Sequence, residues 1–99
     1  MMGQVVFHAP TRGSLARARR NLGNFREQAP EAELRIIANA DAVAAALEAP
    51  DPATDPHLWL CRLSLERQHL DNPGGIREVD SAVVEIARLQ QAGWQYIRA

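Results

Sequence analysis

Short apolar runs alternate with stretches of helical periodicity from one end of the chain to the other, and this alternation restricts the fold more than any other feature. Val5-Val6-Phe7, Leu34 with Ile36-Ile37, Leu58-Trp59-Leu60-Cys61, Ile76 to Val79 and Trp94 to Arg98 have the lengths and the β-branched or aromatic content of strands. Between the first two, Leu15, Ala18, Leu22 and Phe25 recur at the spacing of one helix face over residues 14–28, and Pro30 closes that segment. An alanine-rich helix is expected over 42–47 with Asp41 as its cap, and another over 63–70 ending before the turn Asn72-Pro73-Gly74-Gly75. The last helix carries Ala82, Val83, Ile86 and Leu89 on one side, with Asp80 or Ser81 to start it and Gly93 to stop it. Ala49 to Pro56 reads as a loop, because Pro50, Pro52 and Pro56 offer no donors to a ladder.

The order is β-α-β-α-β-α-β-α-β, and its short linkers demand right-handed crossovers between parallel neighbours. The expected architecture is an α/β fold, a three-layer α/β/α sandwich around a five-stranded, mainly parallel sheet. It occupies residues 1–99 as a single domain, since 99 residues are too few for two self-sufficient cores. A composition of 46% hydrophobic and 23% charged residues argues for an ordered chain. A net charge of −1 supplies no global positive field, so non-specific nucleic-acid binding is not expected. Every basic residue is Arg, which removes Lys-based phosphate cradling and Schiff-base chemistry from consideration.

One cysteine cannot form an internal disulfide, and a reducing compartment suits it. The opening residues carry no basic stretch followed by a long apolar one, and no apolar run approaches the ~20 residues of a membrane span. A cytoplasmic protein is expected, without membrane association. His8, His57 and His69 have no metal-ligand spacing, and no nucleotide-binding glycine motif follows the first strand, so neither metal nor organic cofactor is expected.

In an open parallel sheet, ligands bind beyond the carboxyl ends of the strands, where helix N-termini face the opening. That rule singles out His8, Asn39 and Cys61, at the ends of the first, second and third runs. Cys61 stands between a strand end and a helix start with Arg62 directly after it, a setting that favours thiolate. The same position also suits a small buried hydrophobe. His8 can exchange a proton near neutral pH or be satisfied by turn carbonyls, and Asn39 can contact substrate or satisfy the turn backbone. Arg12, Arg17, Arg19 and Arg20 form a positive cluster read as a solvated face, with Glu27, Glu31 and Glu33 near enough in sequence to offset it. Trp94 and Tyr96 alternate with Gln95 and Ile97 and belong either to the core or to a subunit contact.

Several of these segments resemble the DsrE/DsrF-like family of small sulfur-metabolism proteins: Val5 to His8, Asn21-Leu22-Gly23-Asn24-Phe25, Leu34 to Val43, Cys61 after an apolar strand, and Val83 to Arg98. The close Leu89-Gln90-Gln91-Ala92-Gly93-Trp94-Gln95-Tyr96-Ile97-Arg98 is the most specific part of the likeness. The resemblance implies a parallel α/β sandwich, homo-oligomers, often trimers or hexamers, and a cysteine that passes sulfur between donor and acceptor proteins as a persulfide. Cys61 matches the sulfur-carrying position and His8 a frequent histidine after the first strand. The chain has Cys61-Arg62-Leu63-Ser64 where many short relatives have a Cys-x-Asn-Thr turn, and Asn39-Ala40 where they have a glycine. Sulfur carriage or transfer by Cys61, with His8 assisting and Asn39 and Arg62 binding substrate, is one functional expectation. A non-catalytic oligomeric module that binds a small anion or a protein partner is the other.

Overall fold

The computed structural model describes residues 3–99; Met1 and Met2, included in the expected domain, lie outside the described residues. The strands are β1 (Gln4–Ala9), β2 (Glu33–Ala38), β3 (Leu58–Cys61), β4 (Arg77–Val79) and β5 (Gln95–Arg98). They form one sheet in the order β4-β3-β2-β1-β5, and all its pairings are parallel. Between them lie α1 (Arg12–Gln28), α2 (Asp41–Glu48), α3 (Arg62–Arg67) and α4 (Ala82–Gln91).

Two apolar clusters show how the layers divide. Val5, Phe7, Ile36, Leu58 and Leu60 face Leu15, Ala18 and Leu22 of α1, Ala42, Val43 and Ala46 of α2 and Leu65 of α3. On the other side, Val6, Ile37 and Cys61 face Ala82, Ile86 and Leu89 of α4, together with Trp94. The α/β sandwich expected from the alternation is the fold observed, with a sheet that is parallel throughout. The first three helices step the chain across one face from β1 to β4, and α4 then carries it back over the other face to the far side of β1.

The element ends differ from expectation for identifiable reasons. Helix α1 starts at Arg12 because Thr11 is its cap: the Thr11 side chain accepts the Ser14 amide at 3.0 Å and the Ser14 hydroxyl accepts the Thr11 amide at 2.8 Å. Asp41 does not cap α2. It is the first helical residue, and Ala40 before it holds φ 50 and ψ −132, with no side-chain cap. Helix α3 stops at Arg67, short of Leu70, because His69 turns left-handed at φ 54 and the Leu70 amide reaches back to the Leu65 carbonyl at 2.9 Å. Strand β4 begins at Arg77 because both backbone groups of Ile76 are taken by the Asn72 side chain, at 2.6 and 3.1 Å. Neither Asp80 nor Ser81 caps α4 with its side chain, Ser81 being the cap position. At its other end Gly93 takes φ 97, and the Trp94 amide closes on the Leu89 carbonyl at 3.0 Å.

The proline segment ends in a single 3-10 turn, Asp55–His57. Asp55 in that turn, not the nearby glutamates, offsets part of the arginine cluster: Arg19 pairs with it at 3.1 Å, and Arg12 forks onto Glu48 at 2.5 and 3.1 Å. Among the described residues, no helix is long and apolar enough to cross a membrane.

Candidate functional site

The carboxyl ends of β1, β2 and β3 all lead to helices on one face, whereas β4 leads to α4 on the other. Neighbouring strands whose loops depart to opposite faces leave a crevice between them, and here that place lies between β3 and β4. Cys61 ends β3 there, opposite Val79 in register. Burial pushes the Cys61 thiol up, but hydrogen bonds from the Ser64 side chain and from the backbone amides of Ala82, Ser64 and Leu63 outweigh it and hold the thiol below its ordinary value. The amides belong to the first turns of two helices on opposite faces, α3 and α4, so the divergence that defines the crevice also brings two helix N-termini to the end of β3. The Ser64 hydroxyl is itself oriented, because its oxygen accepts the Ala40 amide at 2.9 Å. Cys61 is free and 5% exposed.

Arg62 points elsewhere. Its guanidinium meets Glu78 at 3.1 Å and also pairs with Asp80. Glu78, held below the usual carboxylate range by Asn72 and then by Arg62, completes that cluster. The expected role of Arg62 in holding a negatively charged sulfur or substrate therefore competes with two carboxylates already in place.

His8 and Asn39 come together as the strand-end rule requires, and a third residue joins them. Imidazole Nε2 of His8 lies 2.9 Å from Oδ1 of Asn39, and Nδ1 lies 2.8 Å from the Tyr96 hydroxyl. An amide oxygen only accepts, so Nε2 carries a proton, and in the neutral ring Nδ1 accepts from the phenol. The tautomer is thus set by Asn39. Both ring nitrogens are engaged, and His8 sits two strands from Cys61, ~10 Å across the sheet. The structure therefore separates the strand-end residues into a sulfur site at the β3–β4 crevice and a hydrogen-bonded chain at β1, β2 and β5. Tyr96 was not expected in the site. The signal lay in the alternation of β5, which puts Tyr96 and Arg98 on one face, and it becomes legible once β5 is known to pair with β1.

A second unanticipated cluster lies on the α4 face. The Arg35 guanidinium is sandwiched between the rings of Trp59 and Trp94, 4.7 Å from each centroid, and Arg77 covers Trp59 at 5.0 Å. Arg35 also lies 3.6 Å from Glu33 and 3.9 Å from Glu85, while its Nε has no hydrogen-bond partner. This cluster packs the helix against the sheet rather than opening onto a ligand space. A cavity of about 890 Å³ lies farther off, walled by Pro50, Pro52, Pro56, Leu70, Gly75 and Ile76. Among the described residues, no group of three or more His, Cys, Asp or Glu side chains is placed to hold a metal ion.

Fold and site together define a small parallel α/β protein with a stabilised thiol at its crevice. Comparison with protein-family models and with curated proteins gives no match.

Proposed function

We propose that the protein is a cysteine-based sulfur carrier of intracellular sulfur metabolism, acting through Cys61. The observation that carries this reading is the place of Cys61 at the β3–β4 crevice, between the first turns of α3 and α4, where the Ser64 hydroxyl and the amides of Ala82, Ser64 and Leu63 hold the thiol below its ordinary value despite burial. The segments resembling the DsrE/DsrF-like family point to the same chemistry, with homo-oligomers, trimer or hexamer, as the working form. In the first step the Cys61 thiolate attacks the terminal sulfur of a donor persulfide, forming a Cys61 persulfide and releasing the donor thiolate. In the second, an acceptor thiolate attacks that terminal sulfur and Cys61 leaves as thiolate, so no net oxidant or reductant is consumed. A lowered thiol raises the fraction of attacking thiolate in the first step and makes Cys61 a faster-departing group in the second.

A specific observation favours a second reading, an oligomeric binding module in which Cys61 is part of the core. Cys61 is only 5% exposed, while Leu63 and Val83, each beside an amide that faces the sulfur, are 40% and 66% exposed. That apolar surface suits a partner protein whether or not sulfur moves.

Exposure to polysulfide followed by intact-mass measurement tests the choice. Sulfur carriage requires a Cys61-dependent gain of one sulfur atom that a thiol acceptor removes, together with rapid alkylation near neutral pH. Slow alkylation with no sulfur adduct, and partner binding unaltered by Cys61→Ser, would establish the binding module instead.

A further inference from the structure

Asn39, His8 and Tyr96 are arranged as orienting group, base and hydroxyl. Both hydrogen bonds fall in the range of about 2.6–3.2 Å that such a chain needs. In the neutral ring, with Nε2–H given to Asn39, the phenol hydrogen bond runs into the lone pair of Nδ1. Tyr96 is 39% exposed and the strand carrying it lies at the sheet edge, so a substrate reaches the phenol oxygen without displacing the core. Arg98 pairs with His8 in register, which puts its backbone ~5 Å away, and alternation puts its side chain on the same face. Its guanidinium meets an oxygen of Ala99 at 3.5 Å. A hydroxyl hydrogen-bonded to a ring nitrogen able to take its proton is a candidate nucleophile for acyl transfer.

We propose that Tyr96 is a nucleophile that accepts acyl groups from activated esters or thioesters, with His8 as its general base and Asn39 as the positioning residue for His8. The Tyr96 oxygen attacks the acyl carbon as its proton passes to Nδ1 of His8. The tetrahedral adduct then collapses, the bond to the leaving oxygen or sulfur breaks, and the proton on Nδ1 goes to that leaving group. The product is O-acyl Tyr96, and no electron donor or acceptor is involved. This chemistry does not use Cys61, so it stands or falls separately from sulfur carriage.

The experiment uses 4-nitrophenyl acetate with the full chain, reading release of 4-nitrophenolate and locating the acetyl group by peptide mapping. Tyr96 is the only tyrosine, so the assignment is unambiguous and acetyl groups on Cys61 are counted apart. Acetylation of Tyr96 should be much faster in the folded protein than in the urea-unfolded chain and should fall about 100-fold in His8→Gln, the scale of a lost general base. Asn39→Ala should lower the rate about tenfold while Asn39→Asp, which keeps the acceptor, restores it, a contrast that loss of packing alone would not produce. A Tyr96 rate in the folded protein no higher than in the unfolded chain overturns the proposal, whatever the variants do. Equal rates in folded wild type and folded His8→Gln overturn it as well, and if His8→Gln does not fold, equal rates in the two Asn39 variants do so.

Discussion

The hydroxyl oxygen of Ser64 accepts the Ala40 amide at 2.9 Å, so one side chain ties the turn after β2 to the start of α3 while its own proton favours the Cys61 thiolate. Ser64→Ala should therefore do two things at once. The thiol titration should move up and alkylation near neutral pH slow, and the Ala40 amide should lose its partner at a cost of about 1 kcal/mol. A pH–rate profile with iodoacetamide reads the first effect, and urea denaturation reads the second. An unchanged profile would mean that the backbone amides alone hold the thiolate.

Ala40 at φ 50 and His69 at φ 54 are the two non-glycine residues found in left-handed backbone among those described. A Cβ is disfavoured in that region, and each position is held by the surrounding fold: Ala40 by its amide to Ser64 and its carbonyl to Gln68 Nε2 at 2.9 Å. Ala40→Gly and His69→Gly should each raise stability by up to about 1 kcal/mol, the relieved strain exceeding the added freedom of the unfolded chain. Higher urea midpoints with unchanged slopes would show it; lower midpoints would show that the strain is absent.

The lowered Cys61 thiol makes stability depend on pH with a definite sign. A folded-state pKa below the unfolded one contributes stability that is fully present above the unfolded value, ~8.5, and is lost as pH falls through the folded value. The stability gap between wild type and Cys61→Ser should accordingly widen in favour of wild type as pH rises from neutral toward that value. Parallel denaturation curves at several pH values measure it, and a gap independent of pH would contradict a favoured thiolate.

Arg62→Ala should leave the Cys61 alkylation rate within about twofold and barely move the urea midpoint, because the guanidinium spends its charge on Glu78 and Asp80 in a half-exposed setting. A severalfold loss of thiol reactivity would show that Arg62 does reach the sulfur site, as its place in the sequence suggests.

Arg35→Ala should destabilise the protein by about 1–2 kcal/mol through loss of its stacking on two rings, and Arg35→Lys should recover only part of this, since ammonium lacks the flat face. Thermal unfolding measures the loss, and a red shift of tryptophan emission on substitution would report the opened sandwich. Full recovery by Lys would mean that charge alone matters.

How far these features can be read in the amino-acid order depends on how local they are. The strands were legible because each is an unbroken apolar run between helical stretches, and the parallel sheet follows from their short links. Thr11 as a cap was missed because its partner is Ser14 rather than the more familiar acidic residue, and Ile76 left its strand because Asn72, four positions back, occupies its backbone. The strand-end rule brought out His8, Asn39 and Cys61, but what each one touches depends on strand order. Arg62 finds its carboxylates only through the β3–β4 pairing, and Tyr96 lies 88 positions from His8. Arg35 sits inside an apolar run, and nothing nearby in the chain marks it for Trp94.

Because α4 returns the chain across the sheet before β5 can dock, one flank of β1 stays bare until the final strand arrives. Until that strand docks, His8 has no phenol beside it. Proton coupling between these side chains would then mark molecules whose folding has run to its end.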